Sequence, residues 1–176
     1  VGVSAAALTL DPSVRAVALD GAALQMFSHG LVTGALFFLV GMIQDRAHSR
    51  EMGEFGGLLK TVPLLGWSFI LAAFASLGLP GLAHFPAEFQ IFLATLGSAP
   101  AAVVVILGIA IIAGTFLKAL RETFLGEPRQ QRHAMPDLST RELLAVVPLL
   151  ALTVATGVAP SWVLDIIHQT TSALVL

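Results

Sequence analysis

The groups in this chain that can do chemistry are few, and they cluster around one interruption. The run Gly78-Leu79-Pro80-Gly81-Leu82-Ala83-His84-Phe85-Pro86-Ala87-Glu88-Phe89 places two glycines, two prolines, a histidine and a glutamate inside an apolar stretch. Glu88 is the first candidate, for proton transfer. Pro86 suits the first position of a new helical segment, which would put Glu88 in that segment's first turn. There the positive helix end favours the carboxylate by up to ~2 kcal/mol, while desolvation favours the neutral acid. A group balanced in this way can load and release a proton when a nearby charge moves. The plainer reading is a carboxylate that caps free N–H groups of the second half-helix.

His84 lies four residues before Glu88. Phe85 precedes a proline and is expected to be extended, so a shared helical face with Glu88 does not follow. His84 is a relay candidate or a loop histidine bonded to backbone carbonyls. His29 is the next relay candidate, because Gln25, His29 and Thr33 recur every four residues as one polar stripe. The plainer alternative is a satisfied core histidine. Gly30 and Gly34 have the GxxxG spacing of close helix contacts, a spacing that also arises by chance in glycine-rich spans. Lys118 would end a proton path or, as the simpler alternative, snorkel to the interface; Glu122 follows at i+4. Arg46, His48 and Arg50 read as a solvated loop face or a docking surface.

The elements that must carry these groups are membrane helices. The chain has 176 residues, 56% of them hydrophobic and 11% charged, with mean hydropathy +0.88. A soluble domain carries about 25% charged residues. The fold class expected is all-α, a polytopic transmembrane bundle of four spans plus the tail of a fifth. The spans fall at about 22–43, 63–96, 101–120 and 143–159, the second broken at 78–86. Each approaches the ~20 apolar residues a crossing needs. If Trp67 marks an interface, Leu79 lies about 18 Å deeper at ~1.5 Å per residue, so the break sits near the midplane. Broken backbone at that depth is tolerated only where protein packs it or it lines a hydrated cavity. A carboxyl group there is a functional candidate by default.

The connections 45–60 and 121–142 are long and arginine-rich, whereas 97–100 has no charge and the opening loop 11–20 has only Arg15 as a cation. The arginine bias puts the two long connections on the cytoplasmic (or matrix) side and the C-terminal tail on the other. Trp162 is expected to anchor the last span at that far interface. Ser139-Thr140-Arg141-Glu142 fits a capping box. The first ten residues read as the end of a span that begins upstream, in a larger protein, and no secretory leader is expected.

Other chemistry is excluded by composition. Cysteine is absent, which removes disulfides, thiolate metal sites and iron–sulfur ligation within the chain. A net charge of −2 leaves no basic footprint for nucleic acid. There is no phosphate-binding glycine loop, no HExxH and no G-x-S-x-G. His48 and His133 lie in separate loops without ligand spacing.

Several runs taken in order closely resemble the proton-pumping, antiporter-like subunits of NADH:quinone oxidoreductase, respiratory complex I. These are 24–31, 34–41, 45–50, 54–58 and Gly78-Leu79-Pro80-Gly81-Leu82 with Phe85, Glu88 and Phe89, then 122–126 and 138–143. The resemblance implies that the chain is the last four of fourteen helices, with the end of the tenth, and that its second span is the family's broken twelfth helix. An acid at position 88 points to the M branch (chain 4), since the L and N branches tend to carry lysine there. It implies Glu88 as the terminal proton-transfer carboxylate and His29 as a member of the central hydrophilic axis. The family's glutamate–lysine pair, other broken helix and central lysine would lie on earlier helices.

One departure is local. Ala83-His84 stands where the family usually has Ser-Gly, and Pro86 follows Phe85, giving a stiffer break with an added imidazole. The resemblance further implies no cofactor in this chain, with NADH, FMN, iron–sulfur clusters and quinone held by other subunits. Partners would be the lipid bilayer and neighbouring membrane-arm subunits, above all antiporter-like ones, in a bacterial inner membrane. The alternatives are a sodium/proton antiporter or membrane-bound hydrogenase subunit on the same fold, or a non-conducting assembly fragment.

Overall fold

A computed structural model describes residues 11–49, 51–96, 99–127 and 135–175. The N-terminal segment read as the tail of a further span, together with Arg50, Arg129, Arg132 and His133, lies outside them. All regular structure among the described residues is helical. In order these are α1 (Pro12–Ala47), a 3-10 turn (Met52–Glu54), α2 (Leu58–Thr61), α3 (Pro63–Ser76), α4 (His84–Thr95), α5 (Ala99–Thr123), α6 (Thr140–Val158) and α7 (Ser161–Val175). Helices α1, α5 and α6 are long and apolar enough to cross a membrane. The remaining crossing is split into α3 and α4. This is a polytopic helical membrane bundle.

Helix α1 is its axis, packing against α3, α4, α6 and α7. It starts earlier than hydropathy suggests. The expected opening loop 11–20 is helical from Pro12, because Asp11 accepts a hydrogen bond from the Ser13 N–H at 2.9 Å and Pro12 occupies the first helical position. Both are N-terminal signals. At ~1.5 Å per residue α1 is about 54 Å long, well beyond a ~30 Å hydrocarbon core. It ends at His48 in the left-handed region (φ 53°), whose N–H bonds back to the Gln44 carbonyl.

Three apolar clusters fill the bundle, the smallest made by Ala18 and Ala94. The larger gathers Leu39, Ile43, Leu58, Leu65, Phe69, Phe124, Val146 and Leu150 at the arginine-rich end. Its Phe69 and Phe124 rings sit 4.6 Å apart. Leu24, Ala87 and Val163 form a smaller one towards the opposite end. Helix α5 joins the rest mainly near its ends, where Gly57 and Leu59 donate to the Leu125 and Phe124 carbonyls. None of its most apolar window is buried.

Arg46 is not a solvated loop residue. Its side chain is 11% exposed and forms a two-pronged pair with Glu142, at 2.8 and 2.7 Å. It also donates to the carbonyls of Pro136, Asp137 and Met42. Asp137 in turn accepts from the N–H groups of Leu64 and Leu65, capping α3. The expected capping box is present, with Ser139 and Glu142 bonded reciprocally. One guanidinium therefore fixes the ends of α1, α3 and α6 together. Arg46→Met strips a donor from the Glu142 carboxylate and three backbone carbonyls, and a part-buried acceptor left unpaired costs about 1 kcal/mol or more. Thermal unfolding of the detergent-solubilised protein should show a loss of about 2 kcal/mol. An unchanged midpoint would mean that the loop holds itself.

Candidate functional site

The break between α3 and α4 is an ordered turn whose backbone groups are largely satisfied. Helix α3 closes with Gly78 in the left-handed region (φ +66°). Gly78 N–H bonds to the Ala75 carbonyl and Leu79 N–H to the Phe74 carbonyl. That is a Schellman ending, which favours glycine at this position. Leu79-Pro80-Gly81-Leu82 then forms a type II turn, with Gly81 at φ +88° and Leu82 N–H on the Leu79 carbonyl. The buried Ala83 carbonyl accepts from the Ser28 hydroxyl of α1 at 2.9 Å. From α6, Gly157 lies directly against the backbone of Gly81 and Leu82. Protein packing on two sides makes broken backbone tolerable in a bilayer.

Helix α4 resumes at His84, two residues before Pro86. Phe85 is helical, contrary to the expectation that it be extended. The first turn of a helix has no intrahelical acceptors for its N–H groups, so proline is accepted at its third residue, and the type II turn delivers the chain directly into the helix. The pre-proline bias is a preference, overridden here by the turn. Glu88 is thereby in the second turn. No side chain caps the start of α4, so Glu88 does not serve as that cap.

The same shift brings His84 and Glu88 onto one face, with Nδ1 3.9 Å from Oε1. His84 is 4% exposed, and neither ring nitrogen has a hydrogen-bond partner among the described residues. The His29 ring stacks parallel to it, with centroids 6.0 Å apart and planes 16° apart. Gln25 of α1 stands in the same cleft as Glu88, its Oε1 buried without a hydrogen-bond partner among the described residues. Both line this cleft of ≈ 550 Å³ between α1, α4 and α5, whose other walls include Met26, Ile91, Val104 and Ile112. Gln25, His29, His84 and Glu88 thus form a continuous polar seam in an apolar bundle.

Other expected groups lie elsewhere. Thr33 belongs to the stripe, but its hydroxyl bonds back to the His29 carbonyl at 2.5 Å, a local bond typical of helical threonine. Lys118 is exposed on α5, beyond Ile112, and forms no ion pair with Glu122 among the described residues. Among the described residues Gly30 has open space around it and Gly34 meets only Leu149 at 3.7 Å, so within them the GxxxG pair mediates no close contact. That work falls to Gly157 and Gly21. Sequence reading missed Ser28 and Thr156, the latter buried beside Gly157 with an unpartnered hydroxyl. Their signal was weak, a single hydroxyl each on a lipid-grade helix.

Gly78 also sets the room for Glu88. A methyl group there would overlap Glu88 Oε2. Gly78→Ala is expected to cost about 1–2 kcal/mol in left-handed strain and to turn the carboxylate away. A structure of the variant should show the Glu88 carboxylate displaced from residue 78, with a lowered thermal midpoint. An unmoved carboxylate would show that this contact does not position Glu88.

Among the described residues no group of three or more His, Asp or Glu side chains could hold a metal ion. Residues 5–116 match the family described as NADH:quinone oxidoreductase/Mrp antiporter, TM. The NADH-quinone oxidoreductase subunit M of Rhodobacter capsulatus is 36% identical over 159 residues, covering 89% of this chain and 31% of that protein. The F(420)H(2) dehydrogenase subunit M of Methanosarcina mazei is 34% identical over 160 residues, covering 90% and 32%. A chain of respiratory complex I from Thermus thermophilus superposes with a TM-score of 0.85 at 27% identity, covering 93% and 34%. This chain spans about a third of the length of the curated relatives it matches. The family match takes in α1, the whole broken crossing and most of α5, the elements that build the polar seam. On that footing the chain belongs to the NADH:quinone oxidoreductase/Mrp antiporter transmembrane family.

Proposed function

We propose that this chain is the proton-exit part of an M-type subunit in the membrane arm of NADH:quinone oxidoreductase. It would move protons outward as other subunits pass electrons from NADH to quinone. The observation that carries this reading is Glu88, held at a packed helix break beside Gln25 and His84 and facing an apolar cleft. The names of the relatives in Rhodobacter capsulatus and Thermus thermophilus supply the coupled reaction. Redox cofactors belong to other subunits, and the partners are neighbouring antiporter-like subunits in a bacterial inner membrane.

Glu88 alternates between acid and carboxylate as charges on neighbouring elements shift. His29 and His84 relay, their stacked rings joining α1 to α4. Lys118 fits the role of an interfacial lysine, with its stem on α5 and its head at the surface. Each proton moved against 100 mV needs about 2.3 kcal/mol from the coupled reaction. The test is the assembled complex in proteoliposomes, with a pH dye inside and sodium present or absent. NADH-driven acidification that does not need sodium is expected. A strict sodium requirement would overturn the proton reading in favour of sodium/proton antiport.

A further inference from the structure

A second titratable cluster lies at the end opposite the arginine-rich connections, where α7 folds back onto α1. Asp20 is 7% exposed, and α7 supplies its partners. His168 Nδ1 is 2.7 Å from Asp20 Oδ2, and the Thr171 hydroxyl donates to Asp20 Oδ1. The His168 side chain is 60% exposed. Beside the pair opens a cavity of ≈ 500 Å³ lined by Asp20, Gln90, Leu164, Asp165, His168 and Gln169. All but Leu164 are polar, in contrast to the apolar walls around Glu88.

This cavity and the Glu88 cleft share the contact between α1 and α4. Gly21, next to Asp20, meets α4 so closely that a Cβ would sit 3.0 Å from the Ala87 carbonyl oxygen, Gln90 Cβ and Ile91 Cγ1. Glu88 and Gln90, on one turn of α4, therefore look into two cavities on either side of one tight contact. The groups that face Asp20 are His168 and Asp165 from α7 and the neutral Gln90 from α4; on α1 itself Arg15 lies more than one turn earlier.

We propose that Asp20 and His168 form a proton-release station that takes protons from the Glu88 cleft and passes them to the surface. The inference rests on the proton-transfer reading of Glu88. A proton reaching the Asp20 carboxylate moves to the imidazole, giving an imidazolium paired with a carboxylate. The imidazolium then gives a proton to water at its exposed edge and returns to neutral. A charged carboxylate almost without exposure is costly unless paired, which is why the partner is a group that can take and lose charge. The simpler alternative is a latch that only docks α7.

The variants are made in the full-length protein within its assembled complex. Asp20→Asn keeps an oxygen for the Thr171 hydroxyl and turns its NH2 to the His168 ring nitrogen, but it has no acidic proton to exchange. Proton transfer in proteoliposomes should fall by the same factor as in Glu88→Gln, with assembly unchanged. His168→Asn keeps a hydrogen-bond donor at an exposed position, and its proton transfer should lose its dependence on outside pH. Wild-type transfer and pH dependence in both variants, beside loss in Glu88→Gln, would overturn the release station and leave the reading of Glu88 standing. Wild-type behaviour in all three would overturn both. If Asp20→Asn does not assemble, His168→Asn decides, and a wild-type pH profile there reduces the pair to a latch.

Discussion

Glu88→Gln is expected to stop proton transfer through this subunit while the complex assembles normally. Glutamine has nearly the same volume, so it still fits against Gly78 and in the cleft it shares with Gln25. It has no proton to exchange. Stability should change by less than about 1 kcal/mol, since Glu88 closes no ion pair shorter than its 3.9 Å approach to His84. Proton transfer per electron should fall by this subunit's whole share, and coupled electron transfer should slow with it. Glu88→Asp keeps the acid on a shorter stem and should retain part of the activity. The readout is acidification of proteoliposomes beside the amount of assembled complex. Unchanged acidification in an intact complex would reduce Glu88 to a structural residue.

Gly157→Val should do the opposite, damaging assembly before chemistry. The added Cβ would overlap the Gly81 carbonyl and the carbonyl carbon of Leu82. These are backbone atoms of a turn already fixed by its own bonds and by Ser28, so α6 must move away. In lipid no hydrophobic force between helices makes up the loss, because association depends on close packing and interhelical hydrogen bonds. Overpacking costs about 1–3 kcal/mol, and withdrawal of α6 would also expose the broken backbone. The yield of assembled complex and its thermal midpoint should both drop, with Gly157→Ala intermediate. Wild-type yield in Gly157→Val would show that the turn stands without α6.

Both predictions concern residues that the sequence displays unequally. Glu88 stands out because an acid in an apolar run has few innocent explanations. Gly157 does not, being one of 16 glycines in the chain, and only its position against Gly81 distinguishes it. The Ser139 capping box was readable because its parts are three residues apart. Arg46 was not, because its partner Glu142 is 96 residues away. The pair Asp20 and His168 lies 148 residues apart, and each member sits where hydropathy suggested a loop or a tail.

Composition and hydropathy are enough to tell that this is a membrane helix bundle, that one apolar stretch is interrupted within 78–86, and which acid sits beside the interruption. Those features are local, because a bilayer forces each segment to satisfy its own backbone bonds. Packing between helices sets the start of α4 at His84, turns His84 toward Glu88 and onto the His29 ring, and brings α7 back over Asp20. These depend on which helix faces which, and that choice is made by close packing and hydrogen bonds between segments far apart in the chain.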